Sequence, residues 1–277
     1  MPGGRARSAL AGSRFADVRW VTETGSTNAD ALALARDGER EGVVLVADHQ
    51  TAGRGRAGRT WIAPPGASLL LSVLLRPPER VAGLTSMAMG LAAAEALEQV
   101  TGVVARLKWP NDLVWPGDGS AEDRKLAGIL AEADWPAGST PDSGYRRPQP
   151  SHRVVVVIGI GINVAWPRDL PADLADIAVA CNHLTDRPID REELLVALLR
   201  ALDARYGDLL GGGADAVVAD WRRGSATIGR RVRVDVGHDQ VEGEAIEITA
   251  EGHLVVRTVD GDRTVSVGDV VHLRPLR

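Results

Sequence analysis

The chain has 277 residues, 44% of them apolar, and a formal net charge of −5. That length and apolar share suffice for one sizeable core and a small second unit. The acidic balance excludes a protein whose main task is coating a polyanion, because such affinity comes from many Lys and Arg contacts to phosphate.

The opening "MPGGRARSALAGSRF" is rich in Gly, Ala, Ser and Arg, and residues 1–16 read as a disordered tail. It does not resemble a signal peptide, and no apolar run reaches the roughly 18 residues that span a membrane, so a cytoplasmic protein is expected. One cysteine, Cys181, excludes an internal disulfide framework and a multi-cysteine zinc site; it fits a reducing compartment and reads as a core residue.

"TETGSTNADALALARDG" predicts a strand end, a turn and a short helix, with Thr27 and Asp30 spaced as a capping box and Gly38 as the stop. "GVVLVAD" and "ASLLLSVLLRPP" predict buried strands, and "LTSMAMGLAAAEALEQV", Leu84 to Val100, a core helix in which Met87 and Met89 pack. The runs "VVARLKWPNDLVW", "RKLAGILAEA" and "RVVVVIGIGINVAW" read as three adjacent strands of one mixed or antiparallel sheet. Residues 116–124 and 135–151 are the loops between them, with no function assigned. "IDREELLVALLRALDARYGDLL" predicts an amphipathic helix ended by Gly211–Gly213. Beyond Trp221, short alternating strands separated by turn residues predict a small β-barrel, with a boundary near Ser225. From residue 226 onward there are seven arginines against nine Asp and Glu and no Phe, Tyr or Trp, so that unit serves neither phosphate tracking nor base stacking.

Between the first two buried strands lies "QTAGRGRAGRTW", whose glycines and arginines let backbone N–H groups and guanidinium forks converge on phosphate or carboxylate oxygens. It is not a P-loop, which needs Gly-Lys and Ser or Thr before a helix. Arg-Gly repeats also occur in disordered RNA-binding segments, but placement between two buried strands favours a closing lid. "KWPND" sets a cation, a ring, an amide and a carboxylate side by side; Asp112 is a candidate Mg²⁺ ligand or simply a turn residue after Pro110. Of the 32 Lys and Arg, Lys108 and Lys125 are the only lysines. A compact ammonium is not interchangeable with a guanidinium, so their retention suggests small-anion contacts. "IGIGIN" alternates glycine through a strand, leaving a bare sheet face where a ligand could lie flat, although glycine there also suits a bulge.

In this order, "GSTN", "QTAGRGRAGRTW", "KWPNDL", "KLAGIL" and "GIGINV" resemble the biotin protein ligases from about Thr24 to Val164. The resemblance implies an α+β fold: a mixed β-sheet catalytic domain with helices packed on it, residues 17–225, followed by a small SH3-like β-barrel domain, residues 226–277. It implies ATP and Mg²⁺ as cofactors and biotin as substrate. Biotinyl-5′-AMP would form first, and the acyl group would then pass to a lysine on the biotin carboxyl carrier domain of acyl-CoA carboxylases. Ser26, Thr27, Asn28 and Gln50 match the positions that hold the ureido end of biotin. Gly53, Arg54, Gly55 and Arg56 match the loop that closes over the acid, and Gly128, Gly159 and Gly161 the bare walls of the slot. Lys125 matches the lysine near the carboxylate and α-phosphate, Asn111 and Asp112 the nucleotide and metal region, and Asn163 an adenylate contact. Arg59 and Trp61 match phosphate and adenine contacts, with Lys108 beside them. Lys125, Arg56 and Asp112 would carry catalysis.

The chain departs from the family pattern at Ala57, where some relatives have arginine, and in having barely twenty residues before the first catalytic strand. A DNA-binding repressor is therefore not expected, nor are nucleic-acid or membrane partners; the expected state is a monomer or weak homodimer. Three rivals are a lipoate or octanoate transferase of similar architecture, an RNA-binding module, and a catalytically dead biotin-binding regulator.

Overall fold

The computed structural model describes residues 2–116, 123–134, 153–237, 239–266 and 268–273. The expected loop 135–151 lies outside these residues, as does 117–122 of the other.

Helix α1 (Gly4–Ala9) precedes β1 (Val18–Thr24), α2 (Thr27–Arg36), β2 (Val44–Gln50) and β3 (Ser68–Leu75). Then come α3 (Glu79–Ala82), α4 (Thr85–Thr101), the short hairpin β4 (Arg106–Lys108) and β5 (Asp112–Trp115), β6 (Arg124–Asp134) and β7 (Val155–Asn163). Helices α5 (Ala172–Ala175), α6 (Arg191–Leu210) and α7 (Ala214–Gly224) complete this region. Strands β8 (Arg231–Val236), β9 (Asp239–Ile248), β10 (Leu254–Thr258), β11 (Gly261–Val265) and β12 (Asp269–His272) follow.

The first seven strands form one sheet in the order β1-β2-β3-β7-β6-β5-β4. Only β1 and β2 run parallel among these neighbours, so the sheet is mixed, as expected. The run "VVARLKWPNDLVW" is a hairpin rather than one strand because its turn, with a cis Trp109–Pro110 bond, reverses the chain.

The pleat of β3 and β7 sorts their residues by face, since successive side chains point oppositely. Leu69, Leu71, Val73 and Leu75 of β3 and Ile158, Ile160 and Ile162 of β7 enter the main core with α4 and α6. Ser68, Leu70, Ser72 and Leu74 look the other way, level with Asn163, Gly161, Gly159 and Val157. There Leu74 and Val157 pack against Ala31 and Ala35 of α2, and the rest of that face is left to the site described below.

The expected disordered tail is instead packed. Ala6, Leu10 and Phe15 are fully buried in the main core. Arg5 pairs with Asp190 and Glu192, and Arg14 pairs with Asp203 and stacks over Tyr206. Three apolar residues spread over ten positions leave the average composition polar, yet each is buried in the cluster that holds α4 and α6.

The C-terminal strands form a five-stranded antiparallel sheet, β11-β10-β9-β8-β12. Among the described residues no pairing joins β11 to β12, so the expected barrel is an open sheet of those strands. Its inward residues, among them Val232, Val234, Ile248 and Val256, belong to the same buried cluster as α4 and α6. Helix α7, to which the sequence reading assigns no element, supplies Val217, Val218 and Trp221 to that cluster.

Candidate active site

A cavity of about 810 Å³ opens on the bare face of β3, β7 and β6. Its floor follows from register. Gly161 lies between Leu70 and Gly128, and Gly159 between Ser72 and Leu130, so two small residues in a row on adjacent strands leave a trough. A Cβ on Gly161 would come within 2.7 Å of the Trp61 indole, and one on Gly128 within 2.8 Å. A Cβ on Gly159 would overlap Asn28 Oδ1. The Trp61 indole lies directly over Gly128 and Gly161 and the Asn28 amide over Gly159, and all of them line the cavity.

One end of the trough is polar and neutral. Ser26 is the N-cap residue of α2 but makes no side-chain cap, so the expected Thr27–Asp30 capping box does not form. Thr27 turns inward: its N–H donates to Gln50 Oε1 at 2.8 Å and its hydroxyl lies 3.1 Å from the same atom. Asp30 instead accepts from the Thr24 hydroxyl. The Ser72 hydroxyl donates to Asn28 Oδ1 at 2.6 Å and is hydrogen-bonded to Thr27 Oγ1 at 2.7 Å. Asn28 Nδ2 donates to Leu130 O and to Glu132 Oε2, and Glu132 also pairs with Arg54 at 2.9 Å. Ser26, Thr27, Asn28 and Ser72 are all buried, so this connected network fixes the rotamers it contains.

The other end is cationic. Lys125 Nζ lies 2.7 Å from Asp112 Oδ1 and 5.4 Å from the Trp61 ring centre. Its backbone is held as well: Lys125 N–H donates to Ile177 O at 2.7 Å, and Lys125 O accepts from Val179 N–H and from Asn163 Nδ2. Asn163 Nδ2 also reaches Val179 O, while its Oδ1 is buried without a partner, as is Trp61 Nε1. Buried polar atoms without partners are costly, so this pair suits a polar ligand group. Arg56 donates to Asn111 Oδ1 at 3.1 Å and to Gly268 O at 3.2 Å, and Arg59 pairs with Asp269 at 2.8 Å. The glycine-arginine loop is a turn with Ala57 at φ 52°, a left-handed conformation that costs a non-glycine residue about 1–2 kcal/mol.

The structure therefore brings together Ser26, Thr27, Asn28, Gln50, Arg54, Gly55, Arg56, Arg59, Trp61, Asn111, Lys125, Gly128, Gly159, Gly161 and Asn163 around one cavity. Three sequence candidates stand outside its lining. Gly53 sits at the base of the loop, where a Cβ would overlap the Trp61 carbonyl and its own carbonyl accepts from Trp61 N–H. It closes the loop rather than walling the slot. Asp112 is one step behind the lining, turned to Lys125. Lys108 is mostly buried beneath it; desolvation holds its ammonium below the usual lysine range, against the pull of Asp112 and Asp123. Sequence reasoning missed Ser72 and Glu132. Each left a faint signal: a lone hydroxyl inside "LLLSVLL", and an acid four residues beyond Gly128 on the same strand face.

Asp112 is a single carboxylate, and no group of three or more His, Cys, Asp or Glu residues able to hold a metal occurs among the described residues. This donor set fits Mg²⁺ arriving with substrate phosphates, which takes one or two carboxylates, and not a resident metal. Cys181 is buried beside this region, and burial pushes its thiol up to about 12, which makes it inert.

A cavity on a mixed sheet with one neutral hydrogen-bonding end and one cationic end defines a protein that holds an acid against an anionic co-substrate. Residues 22–138 match the model of the Biotin/lipoate A/B protein ligase family, and residues 227–273 that of the Biotin protein ligase C terminal domain. The chain is similar to a biotin–[acetyl-CoA-carboxylase] ligase of Mycobacterium tuberculosis, 39% identical over 95% of this chain and 92% of that one. It is similar also to the bifunctional ligase/repressor BirA of Bacillus subtilis, 31% identical over 88% of this chain and 70% of that one. A structure of biotin protein ligase from Aquifex aeolicus in complex with biotin and ATP superposes with a TM-score of 0.74 at 26% identity, covering 94% of this chain and all of that one. The chain belongs to the biotin protein ligase family.

Proposed function

We propose that the protein joins biotin to ATP, giving biotinyl-5′-AMP and pyrophosphate, and then transfers biotin to a lysine of a biotin carboxyl carrier domain of acyl-CoA carboxylases. The observation that carries this reading is the trough of Gly128, Gly159 and Gly161 between a neutral polar end and a cluster of cations. The similarity to a biotin–[acetyl-CoA-carboxylase] ligase and to a biotin protein ligase solved with biotin and ATP supports it.

In the first step a biotin carboxylate oxygen bonds to the α-phosphorus of ATP and the bond to pyrophosphate breaks. Two anions must approach, so most of the catalysis is placement and charge compensation. The neutral end, with Ser26, Thr27, Asn28 and Gln50 and with Ser72 bonded behind them, would hold the ureido group, whose N–H and C=O groups need fixed partners; a dithiolane or alkyl chain brings no donors or acceptors to match. For this reason lipoate and octanoate are disfavoured. Lys125 would face the carboxylate and α-phosphate, with Arg56 and Arg59 over the phosphates. Asn163 Oδ1 and Trp61 would meet the adenylate. Asp112 would hold Mg²⁺, which offsets triphosphate charge when bound. In the second step the acceptor amine nitrogen bonds to the acyl carbon, the acyl–phosphate bond breaks, AMP leaves and the amine proton passes to solvent. The protein supplies no nucleophile. Closure of the Arg54–Arg59 loop would keep water from the mixed anhydride. A cytoplasmic location is part of this proposal; no helix among the described residues is long and apolar enough to cross a membrane.

Incubation with MgATP, labelled biotin and a purified carrier domain tests this. Label should appear on the carrier and not on a variant lacking the acceptor lysine; equal labelling of both would refute specific transfer.

A further inference from the structure

A chain of hydrogen bonds crosses from the C-terminal sheet to the turn at Trp109–Asp112. Asp123 has a 4% exposed carboxylate, held from one side by Arg230 at 2.9 Å. From the other side the His272 imidazole meets it, Nδ1 to Oδ2, at 3.0 Å. The opposite ring nitrogen, Nε2, lies 3.2 Å from Thr227 Oγ1, and that fully buried hydroxyl oxygen accepts the Trp109 N–H at 3.1 Å. Arg230 Nη1 also lies 3.3 Å from that Nδ1 but has Asp123 as its own acceptor; a neutral His272 with Nδ1–H donating to Asp123 leaves Nε2 to accept from the Thr227 hydroxyl, whose oxygen accepts from Trp109. Burial holds His272 below the usual histidine range, favouring that neutral ring, while Asp123 pulls the other way and Lys108 and Arg230 add to the burial effect.

The same turn is fixed at two further points by the C-terminal region. Trp109 Nε1 donates to Gly252 O at 3.0 Å, and Ala226 N–H donates to Leu107 O at 2.7 Å. Two residues further on, Asn111 Oδ1 accepts from Arg56 and Asn111 Nδ2 donates to Ile129 O. The orientation of the Trp109 peptide therefore reaches the cationic end of the cavity directly, through Asn111 and Arg56, whereas Ser26, Thr27 and Gln50 of the neutral end rest on α2, β2 and β3 and only Asn28 also touches β6, at Leu130 and Glu132.

We propose that Thr227, backed by His272 and Asp123, is a positioning residue for the nucleotide half of the site: it sets the Trp109–Asp112 turn and with it the affinity for MgATP, leaving biotin affinity alone. This rests on the adenylation reading above. Thr227→Val keeps the size of the side chain and leaves the Trp109 N–H buried without an acceptor, whereas Thr227→Ser keeps the hydroxyl. Losing such a buried acceptor weakens a fixed geometry by about tenfold in binding.

Calorimetric titration with biotin and, separately, with a Mg²⁺-bound non-hydrolysable ATP analogue should be run on the parent, Thr227→Val, Thr227→Ser and His272→Leu, beside biotin-dependent pyrophosphate exchange and a melting curve. Thr227→Val should raise Kd for the analogue and KM for MgATP about tenfold with biotin Kd within about twofold, and His272→Leu about threefold. Thr227→Ser should restore parental values. Equal loss of both ligands, no loss of either, or failure of Thr227→Ser to restore nucleotide affinity would each overturn the proposal. His272→Leu removes the support without touching the buried hydroxyl, so it reads the same split if Thr227→Val does not fold; unchanged nucleotide affinity in His272→Leu would then overturn it. Absence of exchange in a parent that binds both ligands would instead overturn the adenylation reading, with the binding split still judging Thr227.

Discussion

Lys125 is where a compact cation is most constrained. Its Nζ sits between Asp112 and the face of Trp61, and its Cε and Nζ lie 3.0 and 3.1 Å from where a Cβ on Gly128 would be. A guanidinium there is planar and longer and cannot occupy the same point. Lys125→Arg should lower the rate of adenylate formation by about 10²-fold or more, the scale of a lost electrostatic contact in a transition state, with little change in biotin binding. A near-parental rate in a single-turnover assay would contradict the role given to this lysine. Much at this scale was legible, because a chain with two lysines among 32 Lys and Arg marks them, and because the glycines of "GIGIN" and "KLAGIL" are spaced for one strand face. Ser72 and Glu132 were not, since their importance lies in touching Asn28, 44 and 104 residues away, and cross-chain contacts leave no local pattern. Thr27 misled for the same reason: its spacing to Asp30 suits a cap, but Gln50 and Ser72 compete for it and win.

At the scale of elements, the long periodic segments were the readable ones. α6 begins at Arg191 with Asp190 as an N-cap that accepts from Glu192 and Glu193 N–H, and the predicted helix over Leu84 to Val100 is α4. α1 escaped because its average composition is that of a tail; Ala6, with Leu10 and Phe15 just beyond the helix, is buried in a cluster most of whose other members come from much later in the chain. α7 escaped because Gly211–Gly213 reads as the end of helical structure, whereas Gly213 serves as its N-cap residue. The packed start has a measurable cost of removal. Phe15→Ala should destabilise the fold by about 3–5 kcal/mol, as for other fully buried aromatics, seen as a lower midpoint in urea denaturation at unchanged slope. A midpoint equal to the parent's would restore the reading of residues 1–16 as a loose tail.

For the whole molecule, the distinction between a catalytic part and an appended barrel describes the sequence texture better than the packing. The change from helices and long strands to short alternating ones is visible beyond Trp221, but the inward faces of β8–β12 share a hydrophobic cluster with α4 and α6. The glycine-arginine loop also reaches across, Arg56 to Gly268 O and Arg59 to Asp269. The cations of the site are held largely by the protein's own acids: Arg54 by Glu132, Lys125 by Asp112 and Arg59 by Asp269. These pairs keep the cations in place. None of this could be read from composition, because ion pairs that span 13, 78 or 210 residues depend on the fold being formed.

The central claim, that this cavity activates biotin with ATP, is tested most directly by exchange of labelled pyrophosphate into MgATP with biotin, lipoate and octanoate supplied separately. Exchange that depends on biotin and is absent with the other two acids is predicted, because the neutral end of the trough presents hydrogen-bonding side chains suited to a ureido group. Exchange with lipoate or octanoate in place of biotin, or with none of the three on folded protein, would contradict it.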